Sequence, residues 1–269
     1  MVTSQTPNSQ SSQTSPVLEI RNLCQDFGGL RAVNNFNVTL NKGELIGLIG
    51  PNGAGKTTVF NLVSGFYQPT FGEIVVNGIN TANRKPHQVN ALGVARTFQN
   101  IRLWNEMTVL DNIRVAQHGQ LNYGFFHTIA RSRFYQRREQ LVESNAIKLL
   151  DIFNLKNYAA EYPKNLPYGT QRKLEIARAL SGQPRLLLLD EPAAGLNSTD
   201  VQELIRLVRW IHSHFDVTIW MIEHHMDVMM ELCSRIKVID FGETIAEGTP
   251  DEIRNHPAVI TAYLGDDNI

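Results

Sequence analysis

The 269-residue chain predicts an α/β fold, in which a largely parallel sheet is covered by helices and interrupted by a helical subdomain. Three observations predict it. Leu186-Leu187-Leu188-Leu189 is an apolar run of strand length without polar alternation, which suits a strand buried on both faces. Short apolar runs alternate with helical patterns along most of the chain. From about Val109 to Phe153, long amphipathic stretches replace the strands, with a polar break near Gly119 to Gly124.

The elements follow in order. Residues 1–16 are mostly Ser, Thr, Gln and Asn. They offer too little apolar surface to offset the entropy of ordering, so a disordered tail is expected and order should begin near Val17. The tail has no Lys or Arg, which argues against a secretory signal or transit peptide. Strands are expected around Leu18 and Ile20, at Val38 to Leu40, and at Leu45 to Ile49. A helix through Phe60 and Leu62 should end at Gly65. Ile74 to Val76 reads as a strand, followed by a hairpin turn at Asn77-Gly78, where both residues tolerate positive φ. After the helical region come strands at Leu186 to Leu189, Val217 to Ile222 and Ile236 to Ile239.

Composition narrows the functional classes. Hydrophobic residues are 42% and charged residues 19%, and the formal net charge is −1. That balance argues against a bulk electrostatic grip on nucleic acid. A local exception is Arg131, Arg133, Arg137 and Arg138, with Phe134 and Tyr135 between them. The cluster suits a solvated helix face better than nucleic acid or anionic lipid. Two cysteines, Cys24 and Cys233, cannot build a disulfide framework. No apolar run approaches the ~18–20 residues that span a bilayer, so the chain is not expected to cross a membrane by itself.

The decisive motif is Gly50-Pro51-Asn52-Gly53-Ala54-Gly55-Lys56-Thr57-Thr58, which matches Gly-x-x-x-x-Gly-Lys-Thr. Glycines let the backbone curl so that its N–H groups ring phosphates. Lys56 adds a point charge for the terminal phosphates, and the Thr57 hydroxyl can ligate Mg2+. A helix starting near Gly55 aims its positive dipole end at the same anion. The strand before the motif and the helix after it complete the context of a P-loop that binds a nucleoside triphosphate with Mg2+. A second motif, Leu186 to Pro192, ends a buried strand in Asp190-Glu191-Pro192. Asp190 then faces the Mg2+ side of the phosphates, and Glu191 can polarise a water for in-line attack.

With Leu166-Pro167-Tyr168-Gly169-Thr170-Gln171-Arg172, these motifs resemble the ATPase subunit of an ABC transporter over nearly all of Val17 to Gly265. Three further stretches resemble the ATPases of branched-chain and neutral amino acid uptake systems: Gly93 to Leu103, Glu191 to Asn197, and Ala262-Tyr263-Leu264-Gly265. The resemblance implies a RecA-like sheet flanked by helices, an N-terminal antiparallel β subdomain, and a helical subdomain at approximately 100–182 inserted in an ATPase domain spanning 17–269.

It also implies roles. Phe27 would stack on adenine. Gln99 would sense Mg2+ and the attacking water. His224 would contact the γ-phosphate, although His225 follows where this group more often has Asp. Tyr168, Gly169, Thr170 and Gln171 would lie over ATP held by a partner chain. Two departures stand out. The usual signature serine is Pro167, which leaves backbone N–H groups and the N-terminus of a helix from Gln171 to Leu180 to hold the anion. Asn197 stands where most ABC ATPases have Asp, keeping hydrogen bonding without charge.

The implied function is ATP hydrolysis that energises amino acid uptake from the cytoplasmic face of the inner or plasma membrane. The implied partners are a second, related ATPase subunit (with a homodimer of this chain as the alternative), two multispanning permease subunits and, indirectly, a periplasmic amino acid binding protein, with no nucleic acid. The alternatives are a soluble ABC ATPase acting on nucleic acid or the ribosome, and the ATPase of a lipid or lipopolysaccharide exporter.

Overall fold

The computed structural model describes residues 15–118 and 133–264. Most of the polar tail, the break at 119–124 and the side chains of the Arg131 to Arg138 cluster lie outside the described residues.

The described residues form two sheets. An antiparallel sheet begins with β1 (Leu18–Phe27) and β2 (Leu30–Leu40). Next in the chain come β3 (Leu45–Ile49) and α1 (Lys56–Val63), then β4 (Phe71–Val76) and β5 (Ile79–Asn80), which complete the antiparallel sheet in the order β2-β1-β4-β5. The Asn77-Gly78 hairpin forms as expected. Both residues have positive φ, 49° and 78°, and Val76 pairs with Ile79.

After α2 (Pro86–Ala91) the chain enters the main sheet at β6 (Val94–Arg96). Among the described residues, three α-helices follow: α3 (Val109–His118), α4 (Arg133–Ile152) and α5 (Tyr168–Ser181). They pack on one another. The chain then alternates through β7 (Leu186–Asp190), α6 (Ser198–His214), β8 (Thr218–Ile222), α7 (Met226–Leu232), β9 (Arg235–Asp240) and β10 (Glu243–Gly248). It closes with α8 (Pro250–Arg254) and α9 (Pro257–Leu264). The main sheet has the order β10-β9-β3-β8-β7-β6, parallel except for the β9–β10 pair.

The period of two along a strand divides the core. Ile49, Leu187, Leu189, Ile219 and Met221 face one side, with α5, α6 and α7. Ile46, Leu48, Leu186, Leu188, Trp220 and Ile222 face the other, with α1 and the antiparallel sheet. On that side the Trp220 ring lies 5.1 Å from Phe60 and 6.3 Å from Phe36, so one aromatic cluster ties α1 and both sheets together. Cys233 is buried, and burial pushes its thiol up to about 12, as expected of a packing residue rather than a nucleophile.

One helix boundary corrects the sequence reading. The helix expected to begin at Gln171 begins at Tyr168, with Pro167 as its N-cap. Proline suits the edge of a helix because its φ, here −55°, is already fixed. The candidate signature residues therefore form the first turn of α5 rather than a loop before it.

Candidate active site

Parallel pairing of β3, β8, β7 and β6 brings four loops to one edge of the sheet, outside the carboxyl ends of the strands. These loops carry Gly50 to Gly55, His224, Glu191 and Gln99.

The first loop depends on two glycines. A Cβ on Gly50, at φ 153°, would sit 2.0 Å from the Ile239 carbonyl oxygen. One on Gly55, at φ 101°, would sit 2.4 Å from that of Ala32. No side chain fits either position without moving backbone. Lys56 opens α1 and folds back into the loop. Its Nζ donates to the Gly50 carbonyl at 2.6 Å and the Pro51 carbonyl at 2.8 Å. Burial pulls this ammonium below its usual range, and the nearby Glu191 and Asp190 carboxylates oppose that pull.

Glu191 adopts the left-handed backbone, φ 46°, immediately after β7. Gln99 Nε2 donates to one of its carboxylate oxygens at 2.6 Å, and His224 Nε2 lies 2.5 Å from the other. Three residues separated by up to 125 positions thus meet at one carboxylate. His225 turns away and lies 3.2 Å, through Nδ1, from Glu223. The two adjacent histidines therefore have different surroundings.

Asp190, one residue earlier, is buried. Arg96 at the end of β6 donates to it at 2.6 Å, and the same guanidinium reaches Asn61 and Ser64 on and beside α1. Burial pushes the Asp190 carboxyl up, and Arg96 works against that rise. Thr57, Gln99 and Asp190 open onto one cavity of about 350 Å3. Phe27, at the end of β1, is 42% exposed and meets Tyr67 edge to face at 5.3 Å. It is a surface ring with an open face rather than a core residue.

Tyr168, Gly169, Thr170 and Gln171 lie in the first turn of α5, beside the loop after Glu191. The Gln171 amide donates to the Pro167 carbonyl at 3.0 Å, and the earlier N–H groups have no partner within the helix. The Tyr168 hydroxyl donates to the Ala194 carbonyl at 3.3 Å, and a Cβ on Gly169 would lie 3.1 Å from the Asp200 carboxylate. Asn197 caps α6, accepting from the Asp200 amide at 2.9 Å, so the neutral residue keeps the capping role.

Four residues escaped the sequence reading. Arg96 ends a short strand within a stretch recognised only by resemblance. Glu223 directly follows the apolar strand β8; a charge there is the one available cue. It is buried and accepts from the Ala193 amide at 2.6 Å and the His224 amide at 3.0 Å, joining two of the four loops. Arg172 and Glu175 stand three apart on α5, a spacing that usually marks a solvated surface pair. They are instead buried against the Gln99 loop.

Comparison with known proteins gives consistent matches. Residues 33–194 match the ABC transporter family model, and residues 243–268 match the model of the branched-chain amino acid ATP-binding cassette transporter. The chain is 45% identical to the high-affinity branched-chain amino acid transport ATP-binding protein LivG of Escherichia coli K12, covering 93% of this chain and 98% of that protein. It is 44% identical, over the same shares, to the corresponding protein BraF of Pseudomonas aeruginosa. Among solved structures, an ATP-binding cassette of an ABC transporter in its ADP conformation superposes with a TM-score of 0.80 at 27% identity, over 94% of this chain and all of that one. A nucleotide-free ATP-binding cassette gives 0.79 at 28%, over 92% and 98%.

Proposed function

The chain belongs to the ABC transporter family of ATPases, and from that premise we propose that its ATP hydrolysis energises uptake of branched-chain or neutral amino acids across the inner or plasma membrane. The observation that carries this reading is the likeness to LivG and BraF along nearly the whole chain, with a second match at residues 243–268. It favours amino acid import over a soluble ATPase acting on nucleic acid or the ribosome, and over a lipid or lipopolysaccharide exporter.

In this reading Gly50 to Thr58 receives the phosphates, and the Lys56 ammonium exchanges two loop carbonyls for phosphate oxygens. Phe27 offers its open face to adenine. Thr57, Gln99 and Asp190 fit Mg2+. They share a cavity and supply hydroxyl, amide and carboxylate oxygens, the hard donors this ion takes. Bound there, the ion would neutralise charge on the phosphates during transfer.

Glu191 orients and polarises the attacking water. Gln99 and His224 hold its two oxygens, so the carboxylate is aimed before substrate arrives. When ATP enters, His224 is placed to exchange Glu191 for a γ-phosphate oxygen. The first turn of α5, with Tyr168, Gly169, Thr170 and Gln171, offers its N–H groups and dipole to ATP on a second chain. A hydroxyl at position 167 would add one donor to that set, and its replacement by Pro167 leaves the helix terminus intact. Each chain then supplies half of each site, which calls for a second ATPase subunit; a related but different one is our reading.

ABC importers pair such subunits with membrane permeases. Among the described residues no helix is long and apolar enough to cross a membrane, which fits a subunit held peripherally at the cytoplasmic face through two permease subunits. A periplasmic amino acid binding protein would deliver the solute to those permeases.

The test is affinity purification of the full-length chain in detergent from its native cells. Two multispanning membrane proteins and a second ATPase subunit should accompany it, and addition of a periplasmic amino acid binding protein should stimulate ATP hydrolysis. Copurification with ribosomes or nucleic acid, and no membrane protein, would reject the reading.

A further inference from the structure

Arg172 and Glu175 are each 1% exposed and lie on α5, the helix whose first turn holds the candidate signature residues. They form an ion pair at 2.8 Å, but most of their remaining bonding capacity goes to one segment of main chain. Arg172 donates 2.8 Å bonds to the carbonyls of Phe98 and Gln99 from its two terminal nitrogens. Glu175 accepts from the amides of Phe98, at 3.4 Å, and Arg102, at 3.1 Å. Four main-chain groups around Gln99 are thereby gripped by two side chains of one helix.

A buried charge is expensive unless paired and hydrogen-bonded. Burial pushes the Glu175 carboxyl up, and Arg172 with the two amides counters it. Such a pair adds little stability over an apolar one of equal volume, whereas its fixed fork geometry defines position well. The segment it defines carries the Gln99 side chain, whose Nε2 donates to Glu191 at 2.6 Å.

We propose that Arg172 and Glu175 are positioning residues that fasten the Gln99 loop to α5, so that the place of the Gln99 amide opposite Glu191 is set by the helix that faces the partner's ATP. The inference rests on the reading of Glu191 and Gln99 as hydrolytic groups. Movement of α5 as its first turn engages ATP on the second chain then carries the Gln99 loop with it. The first turn of α5 and the Gln99 amide are thereby linked through two side chains.

The experiment measures ATP hydrolysis and ATP binding by the full-length protein purified with its partners. The variants are Arg172→Met with Glu175→Met, Gln99→Ala, and all three together. Misplacing a catalytic group by about an ångström costs on the order of 10²-fold. The Met pair should lower kcat ~10–10²-fold, with KM for ATP within about threefold of wild type. In the Gln99→Ala background the Met pair should cost less than about a further threefold, because its effect passes through the amide already removed. Arg172→Lys keeps the buried charge but cannot span both carbonyls, and should lower kcat in the same direction by a smaller factor. It carries the same comparison if the Met pair does not fold. Losses that multiply in the Gln99→Ala background, or an unchanged kcat in the folded variants, would overturn the proposal. If Gln99→Ala alone leaves kcat unchanged, the hydrolytic reading of Gln99 fails instead, and the two failures are distinguishable.

Discussion

Replacing Glu191 with Gln is expected to lower ATP turnover by ~10²–10⁴-fold, the usual contribution of a positioned base, while leaving ATP binding in place. Gln conserves size and can still bridge Gln99 and His224, whose contacts at 2.6 and 2.5 Å take up both oxygens of the native carboxylate. What disappears is the negative charge that draws a proton from water. The P-loop is untouched, so equilibrium binding of ATP should stay within a few-fold of wild type. Single-turnover hydrolysis and a separate binding titration check the two halves. Turnover within threefold of wild type would remove Glu191 from the chemistry.

The second large effect belongs to Lys56. Its ammonium is buried and already folded against the Gly50 and Pro51 carbonyls, so the cation stands inside the loop before any phosphate arrives. Lys56→Ala removes the positive charge and leaves those carbonyls without their donor. Charged hydrogen bonds contribute about 1.5–3 kcal/mol each; losing two to the phosphates weakens ATP binding by ~10²–10⁴-fold. Glu191→Gln should therefore bind without hydrolysing, and Lys56→Ala should do neither. A Lys56→Ala protein that titrates with ATP like wild type would refute the phosphate assignment of this loop.

The contrast between the two sheets explains what the sequence revealed. Leu186 to Leu189 and Thr218 to Ile222 are strands whose every residue is buried, so composition alone marks them. The P-loop was equally legible, because glycine positions such as Gly50 and Gly55 are dictated by backbone approaching within 2–3 Å of where a side chain would be. β6 and β10 were not anticipated. One is three residues long, and the other, Glu-Thr-Ile-Ala-Glu-Gly at a sheet edge, buries a single residue and shows no apolar run. The start of α5 was placed three residues late because Pro167 and Gly169 look like loop residues, although proline is well tolerated at the edge of a helix. Within the site, Glu191 could be picked out from its strand, but its bonds to Gln99 and His224 join residues 92 and 33 positions away. Such distances carry no periodicity, so only resemblance pointed to them. The buried pair Arg172–Glu175 was invisible for the opposite reason. Its spacing is ordinary, and what makes it unusual is the loop that covers it.

The most direct measurement of the central claim is accumulation of labelled leucine by cells that lack their own branched-chain uptake system and express this chain with its membrane subunits. Wild-type and Glu191→Gln proteins would be compared at matched abundance. The account predicts concentrative leucine uptake with the wild-type chain and loss of it with Glu191→Gln, even though the variant still binds ATP. Equal uptake by both would contradict the account, as would a wild-type complex that hydrolyses ATP but accumulates no branched-chain or neutral amino acid.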